Sequence, residues 1–317
     1  MFLYANSTQD LLDSAMKIIL LYNPTAGTED FDLAEVIGSL ERQGAKVIAQ
    51  NTKEDGFEEV LKLNYDLVVI AGGDGTVEKI LLELHDSKIP ISLLPSGNAN
   101  NIAGSLGIAG FYPDTVKNFK KGNFLPLSVG TFQTEGEKGR FIEGVGWGLF
   151  TALLQQIERG KREEAPDGDK VDFGSKHLRK LPEELSAQEY DIKIDGKDYS
   201  GHYLWIEVMN TRQLGPQLVL APEADHGDDY LDVMLVREDQ EKELRDFLKA
   251  HEKDAVESPF EVIKAKKIEV KTHLPFHVDD SVVVHQSLYE GIPKVKIKLQ
   301  KHQLTLLNTN PNSSKKK

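Results

Sequence analysis

Several short stretches of this chain hold residues that can do chemistry. In Gly72-Gly73-Asp74-Gly75-Thr76, three glycines, a carboxylate and a hydroxyl separate an apolar run, Leu67–Ala71, from apolar residues at Val77, Ile80, Leu81 and Leu84. A β-branched run ended by glycine reads as a buried strand, and the spacing after it reads as a helix. Glycine lets a ligand come close to the backbone. Thr76 as helix cap would leave N–H groups and the positive dipole end facing the turn. Such a mouth suits a phosphate. Asp74 would repel a bare phosphate, so a polyphosphate here calls for a bridging cation, most simply Mg2+. No lysine lies between Gly72 and Val77, which excludes a Walker A loop, and Glu78 stands where a dinucleotide fingerprint needs its third glycine. An ordinary strand–turn–helix connection is the plainer alternative.

A second stretch, Pro95-Ser96-Gly97-Asn98-Ala99-Asn100-Asn101-Ile102-Ala103, follows the apolar run Ile91–Leu94 and opens another predicted helix. Two glycine- and amide-rich turns on one sheet edge would face one crevice, although asparagine also simply tolerates turn backbone. A third candidate is acidic. Asp225 and Asp228, with the backbone near Tyr230, have a spacing compatible with a hard-cation site or with a metal-free acidic turn. His226 beside them reads as a surface residue.

The elements that must position these turns alternate. Lys17–Tyr22, Lys46–Gln50, Leu67–Ala71 and Ile91–Leu94 read as strands, with helices at Asp32–Gln43, Phe57–Lys62 and Val77–His85 between them. This is the pattern of an α/β N-terminal domain with a parallel sheet, whose ligands sit at the strands' carboxyl ends. After Gly122 the runs Leu127–Phe132, Arg140–Val145, Tyr190–Ile194, Tyr203–Val208, Leu231–Val236, Lys267–Lys271, Val282–Val284 and Val295–Leu299 are β-rich and lack long crossovers. They predict a mostly antiparallel, β-sandwich-like second domain. A helical hairpin is expected at Leu149–Arg162 and Ser175–Glu184, and a charged surface helix at Asp239–His251. The expected domains are 16–124, binding nucleotide, and 125–310, β-rich with a helical insertion and a tail returning to the first domain. Residues 1–15 and 311–317 are expected to be flexible ends. A crevice between two unlike domains is the default place for a ligand.

Composition narrows the function. A net charge of −13 over 317 residues argues against nonspecific nucleic-acid binding, and zero cysteines exclude disulfides and thiolate metal sites. No apolar stretch reaches the roughly 18 residues of a membrane span. The start lacks the pattern of a signal peptide. A cytoplasmic protein without a transmembrane segment is expected, with peripheral attachment to a membrane surface left open. The Lys315-Lys316-Lys317 tail reads as solvated. Exposed β-edges leave a homodimer open.

Taken together, these motifs resemble the diacylglycerol kinase catalytic superfamily, particularly its bacterial lipid kinases. NAD kinases are more distant relatives. Asn23-Pro24-Thr25-Ala26-Gly27 matches the family's Asn-Pro-x-(Ser/Ala)-Gly, and Gly72–Thr76 its Gly-Gly-Asp-Gly-Thr. Pro95–Ile108 follows its next motif in register, and Ala221–Val233 resembles a segment whose acids hold a structural Mg2+ in some members. The resemblance implies ATP and Mg2+, with a lipid alcohol as acceptor. Nucleotide contacts would come from Asn23, Pro24, Gly27, Thr52, Gly72, Gly73, Gly75, Thr76, Gly97, Asn98, Asn100 and Asn101. Asp74, Asp225 and Asp228 would be metal ligands, and Asp74 and Asp279 catalytic. Asp279 inherits the base of the family's Asp-Gly-Glu motif, whereas Asp279-Asp280 as a turn-forming acidic pair remains open.

The departures define the alternatives. Asp280 and Ser281 replace the glycine and glutamate of that motif, Asn98 and Asn101 replace a threonine and an aspartate, and Ser128 stands where relatives often carry aspartate. Fewer carboxylates weaken Mg2+ binding. A nucleotide- or lipid-binding homologue with weakened or lost catalysis is therefore one alternative to a lipid kinase. A kinase for a soluble acceptor of the NAD type is another.

Overall fold

The computed structural model describes residues 16–26, 31–85, 87–108, 116, 119, 123–163, 174, 177–178, 180–183, 185–251, 256–285 and 291–309. The chain divides into two compact units, Met1–Pro126 with Leu304–Lys317, and Leu127–Gln303.

In the first unit, β1 (Lys17–Tyr22), β2 (Lys46–Asn51), β3 (Leu67–Gly72) and β4 (Ile91–Pro95) alternate with α1 (Leu33–Arg42), a 3-10 helix at Phe57–Lys62 and α2 (Asp74–Glu83). The order across the sheet is β2-β1-β3-β4, with every pairing parallel. Leu306 then pairs in parallel with Ile91 and extends the sheet. Strand β3 is buried along its whole length, as expected of a parallel strand covered on both faces. Val36 and Leu40 of α1 pack on Ile18, Leu20 and Val69, so the helical apolar stripe meets the sheet. Helix α1 starts at Asp32, whose Oδ1 accepts the Glu35 N–H at 3.1 Å. A short α3 (Asn101–Ser105) follows β4. The predicted α/β fold with a parallel sheet is observed.

The second unit is antiparallel, again as predicted. It contains β5 (Asn123–Gln133), β6 (Lys138–Phe141), β7 (Gly144–Gly148), α4 (Leu149–Glu163), β8 (Gln188–Ile194), β9 (Lys197–Asp198) and β10 (Gly201–Met209). After these come β11 (Gln213–Leu214), β12 (Leu218–Val219), β13 (Leu231–Arg237), α5 (Glu241–His251), β14 (Val262–Ala265) and β15 (Lys267–Lys271). The unit closes with β16 (Phe276–Val278), β17 (Ser281–Val283) and β18 (Lys294–Asn308), which runs on into the first unit. One layer runs β17-β16-β7-β10-β13-β14 and another runs β8-β15-β18-β5-β6. Strand β10 joins them, because Gly201–Tyr203 pair with β8 and Trp205–Met209 pair with β13, across a register shift between Tyr203 and Trp205. Trp147, Tyr190, Ile192, Val270, Phe276 and Ile297 fill the core between the layers. A second cluster, with Phe150, Leu153, Leu244 and Phe247, packs α4 and α5 onto the outer side.

Two predicted strands are corrected. Arg140–Val145 is not one strand, because the chain leaves β6 at Phe141 and re-enters at Gly144. The strand foreseen at Val295–Leu299 extends to Asn308. The first half of the expected helical hairpin is α4. The described residues between 174 and 183 are helical, and the remainder of the second half lies outside the described residues.

Candidate functional site

In the first unit the glycine turns sit at the carboxyl ends of β3 and β4, beside the turn that leaves β1. Helix α2 begins at Asp74, earlier than its apolar spacing suggests, and Gly73 is its N-cap residue, with no side-chain cap bond. Thr76 therefore does not cap the helix. A Cβ on Gly72 would lie 2.7 Å from Thr76 Cβ, so this side chain folds back over the end of β3. There Thr76 Oγ1 accepts the Asn23 Nδ2–H at 2.9 Å. Asn23 Oδ1 in turn accepts from Thr25 N at 3.0 Å and Thr25 Oγ1 at 2.9 Å, closing the turn that holds Pro24. Thr52 N and Oγ1 both donate to Tyr22 O, at 2.9 and 3.2 Å, which ties the end of β2 to that of β1. Gly27 lies outside the described residues.

The glycines divide between packing and access. A Cβ on Gly97 would fall 2.4 Å from Gly73 Cα, and one on Gly73 would fall 3.1 Å from Gly97 Cα. The two turns thus touch backbone to backbone, a closeness only glycine permits. A Cβ on Gly75 would meet nothing within 4 Å, so Gly75 is the glycine that borders open space. Asn100 holds a left-handed φ of 54°. It closes the second turn by accepting from Gly97 N at 2.9 Å and donating to Gly97 O at 2.7 Å.

Asp74 links the turns. Its Oδ2 accepts the Asn101 N–H and its Oδ1 the Ile102 N–H, each at 3.0 Å, so a carboxylate from one turn caps the helix that leaves the other. The sequence pattern suggested an acid aimed at a metal, whereas the geometry shows a buckle. This carboxylate, beside Asn101, supplies the hard oxygen that a Mg2+ arriving on phosphate oxygens prefers, so the residues fit that cation.

In the second unit Asp279 occupies the turn between β16 and β17 with a left-handed φ of 48°, which aspartate tolerates better than most residues. It is 0% exposed. Its Oδ1 accepts from Glu143 N at 2.7 Å and Gly144 N at 3.0 Å, and its Oδ2 accepts from Ile142 N at 3.0 Å. These bonds explain why the chain breaks between β6 and β7, since the connecting segment wraps this carboxylate. Burial pushes its pKa up to about 6 against the pull of the three N–H groups, and Asp280 adds to the rise.

Asp225 and Asp228 lie elsewhere in this unit, in a turn closed from within. Asp225 Oδ1 accepts from Gly227 N at 2.9 Å, and Asp228 Oδ1 from Tyr230 N at 2.8 Å. The other Asp228 oxygen takes the Lys264 ammonium at 2.7 Å. Lys264 stands opposite Asp232 across β13 and β14 and lies 3.8 Å from its carboxylate, while Lys301 pairs with Asp229. Burial works against the Lys264 charge, but the bond to Asp228 and the nearby acids outweigh it and hold its pKa above the ordinary lysine value. Burial also lifts Asp232 to about 6, against the pull of Lys264. Among the described residues no three His, Asp or Glu side chains are arranged around a metal ion. With an ammonium already in the turn, these residues do not fit a divalent cation. His226, read from sequence as a surface residue, is half-buried, and burial lowers its pKa.

A polar cluster escaped the sequence reading. His277, fully buried two residues before Asp279, has Nε2 3.1 Å from Glu207 Oε1 and Nδ1 3.0 Å from Thr151 Oγ1. Thr151 donates to Gly146 O at 3.0 Å, and Trp205 Nε1 donates to Glu207 Oε2 at 3.0 Å. The cluster binds β16 to β7, β10 and α4 and so fixes the strand that carries Asp279. The available signal was Glu207, one acid inside the apolar run Tyr203–Met209.

Comparison with known proteins follows the same division. Residues 17–132 match the family model for the diacylglycerol kinase catalytic domain, and residues 158–286 match that for the YegS C-terminal NAD kinase beta sandwich-like domain. The chain is 29% identical over 231 residues to a diacylglycerol kinase of Bacillus subtilis (strain 168), covering 69% of this chain and 73% of that one. The crystal structure of a diacylglycerol kinase from Bacillus anthracis str. Sterne superposes with a TM-score of 0.68 at 22% identity. It covers 93% of this chain and 98% of the other, which shows the shared fold.

Proposed function

We propose that this chain, which belongs to the diacylglycerol kinase catalytic superfamily of lipid kinases, transfers the γ-phosphate of Mg2+–ATP to the hydroxyl of a diacylglycerol- or sphingosine-like lipid alcohol. The observation that carries this reading is the buckled pair of turns. Asp74 holds the Gly72–Thr76 turn against the Pro95–Asn101 turn, and Gly75 leaves open approach to the backbone at the start of α2. A helix N-terminus lined by small residues suits the phosphates of a nucleotide. Bound beside Asp74, Mg2+ would neutralise phosphate charge as it builds up during transfer.

The reaction forms a bond between the acceptor oxygen and the γ-phosphorus and breaks the bond to ADP. The acceptor's proton goes to Asp279. With a pKa near 6 this carboxylate is ionised at neutral pH yet still basic enough to take a proton, as a general base requires. The cluster of His277, Glu207 and Thr151 supports the strand that presents it.

Purified chain incubated with γ-labelled ATP, Mg2+ and a panel of lipid alcohols, with NAD as a soluble acceptor, tests the proposal. Label on a lipid, lost in Asp74→Asn, supports it, and label on NAD alone would replace the lipid with a soluble acceptor. The neutral residues at Asn101, Ser128 and Ser281 favour a second reading, a nucleotide-binding homologue with lost catalysis. Calorimetric ATP binding without label on any acceptor would select it.

A further inference from the structure

One layer of the second unit carries a charge pattern that the proposed chemistry does not use. In β15, Ile268 and Val270 are buried, so Lys267, Glu269 and Lys271 lie on the opposite face. Strand β18 alternates likewise: Val295 and Ile297 are buried, and Lys294, Lys296 and Lys298 face outward. The register sets Lys298 across from Lys267, Lys294 across from Lys271, and both Lys296 of β18 and Lys193 of β8 across from Glu269. Strands β5 and β6 add Lys138 and Arg140, whose alternating neighbours Phe132 and Phe141 are in the core.

Against these cations stand Glu189, Asp191, Asp198 and Glu269, with Glu135 and Glu137 in the turn at the end of the face. Lys271 pairs with Asp191 at 2.8 Å, and Glu269 with Lys267 at 2.9 Å and Lys294 at 3.6 Å. Lys138, Arg140, Lys193, Lys296 and Lys298 form no ion pair among the described residues, although Lys193 lies opposite Asp198 and Glu269, and Lys296 opposite Glu269. Lysine commonly guards exposed sheet edges, but β15 and β18 are interior strands of this layer, so edge protection does not account for them. In a chain of net charge −13, a sheet face on which cations outnumber acids opposes the overall balance.

A second feature adjoins this face. Val284 is 67% exposed and Ile292 58% exposed. Val284, Pro293 and the Thr134–Glu137 turn line one shallow pocket, and Pro293 leads directly into Lys294. Two aliphatic side chains therefore stand in water at one end of the cationic sheet.

We propose that this face docks the enzyme on an anionic lipid bilayer, with the lysines against headgroup phosphates and Val284 and Ile292 at the acyl boundary. Choosing a bilayer as partner rests on the lipid-acceptor reading above. Charge complementarity supports it: cations repeat about every 7 Å along each strand and neighbouring strands lie about 4.8 Å apart, which makes a broad grid suited to a flat anionic surface. Single-stranded nucleic acid is held by aromatic stacking, and the outward positions of β15, β18 and β6 carry no aromatic side chain.

Co-sedimentation of the full chain with phosphatidylglycerol/phosphatidylcholine vesicles and with pure phosphatidylcholine vesicles tests the proposal. The protein should pellet with the anionic vesicles and be released by added salt, because surface attraction is screened. Lys193→Glu with Lys296→Glu and Lys298→Glu should weaken binding by about a thousandfold or more. The milder pair Lys296→Gln and Lys298→Gln, which spares the fold if charge reversal does not, should weaken it about thirtyfold. Val284→Ser with Ile292→Ser should make the remaining binding more salt-sensitive. Equal binding to both vesicle types, undiminished binding by the lysine variants, or displacement from vesicles by duplex DNA would each overturn the assignment. Sedimentation needs no ATP turnover, so a failure of the kinase reading shows up separately, in the label-transfer assay.

Discussion

Asp74 of the first unit and Asp279 of the second both accept hydrogen bonds from backbone N–H groups of a neighbouring segment. One stands half-buried at the mouth of a helix, and the other is sealed in a hairpin turn. The device is the same and the surroundings differ. At Asp74 two N–H groups join a pair of turns that open onto solvent at Gly75. At Asp279 three N–H groups meet an acid with no exposed surface, and desolvation lifts its proton affinity to within a unit or so of neutrality. The first arrangement suits holding a ligand's charge, and the second suits exchanging a proton.

The harshest way to break this comparison is Asp279→Asn. A carboxamide cannot accept three N–H groups, so about 2–4 kcal/mol of stability should be lost, and turnover should fall about a thousandfold. Urea melts and label transfer on one preparation separate the two effects. If turnover survives, Asp279 is only a clamp. Gly97→Ala comes next. Its Cβ cannot sit 2.4 Å from Gly73 Cα, so the turns must part, at a cost of about 1–3 kcal/mol. ATP affinity by calorimetry should drop about a hundredfold. Gly75→Ala meets no protein atom and sits in α2, so its melting temperature should match or slightly exceed that of the wild type, while any loss of ATP affinity reports ligand approach.

Lys264→Met sharpens the comparison with a third acidic site. Lys264 is 42% exposed, which limits its ion pairs to about 1 kcal/mol or less. The variant's melting temperature should drop slightly and recover with millimolar Mg2+, while the wild type does not respond. A wild-type response to Mg2+ on melting without nucleotide would instead place a cation in the turn.

A further effect is on stability against pH. Asp279 and Asp232 have folded-state pKa values raised to about 6 from near 3.8, so the folded state binds more protons than the unfolded state between those values. Their contribution is fully present below about 3.8 and is lost as pH rises through about 6. Urea midpoints across that window should fall with rising pH and fall less steeply in Asp232→Asn.

The fold class was legible because the six-residue β3 opens on the apolar, β-branched-rich run Leu67–Ala71 and is flanked by helical spacing, and because β-rich runs without crossovers dominate after residue 122. Residue types alone pointed to the glycine turns. The placement of Thr76 was not legible, since its hydroxyl answers to Asn23, a residue 53 positions away. Strand β16 is three residues long, too short for any periodicity, and β18 is interrupted in pattern by Lys301 and His302. Burial was the deepest gap. Nothing in His277-Val278-Asp279-Asp280 reveals that Asp279 is enclosed while Asp280 is exposed, or that Glu207 will reach His277 from 70 residues away. Likewise Asp228 reads as a cation ligand until strand pairing sets Lys264 opposite Asp232 and its ammonium reaches Asp228.

The central claim, that Asp279 is the base of a phosphoryl transfer supported by the Asp74 turns, is tested most directly by the pH–rate profile of label transfer from ATP to a lipid alcohol. A base must be ionised to act, so the rate should fall as pH drops through about 6 and level off above it. In Asp279→Asn the residual rate should be low and lack that limb. A wild-type profile with no limb near 6, or a limb that persists in Asp279→Asn, would contradict the account.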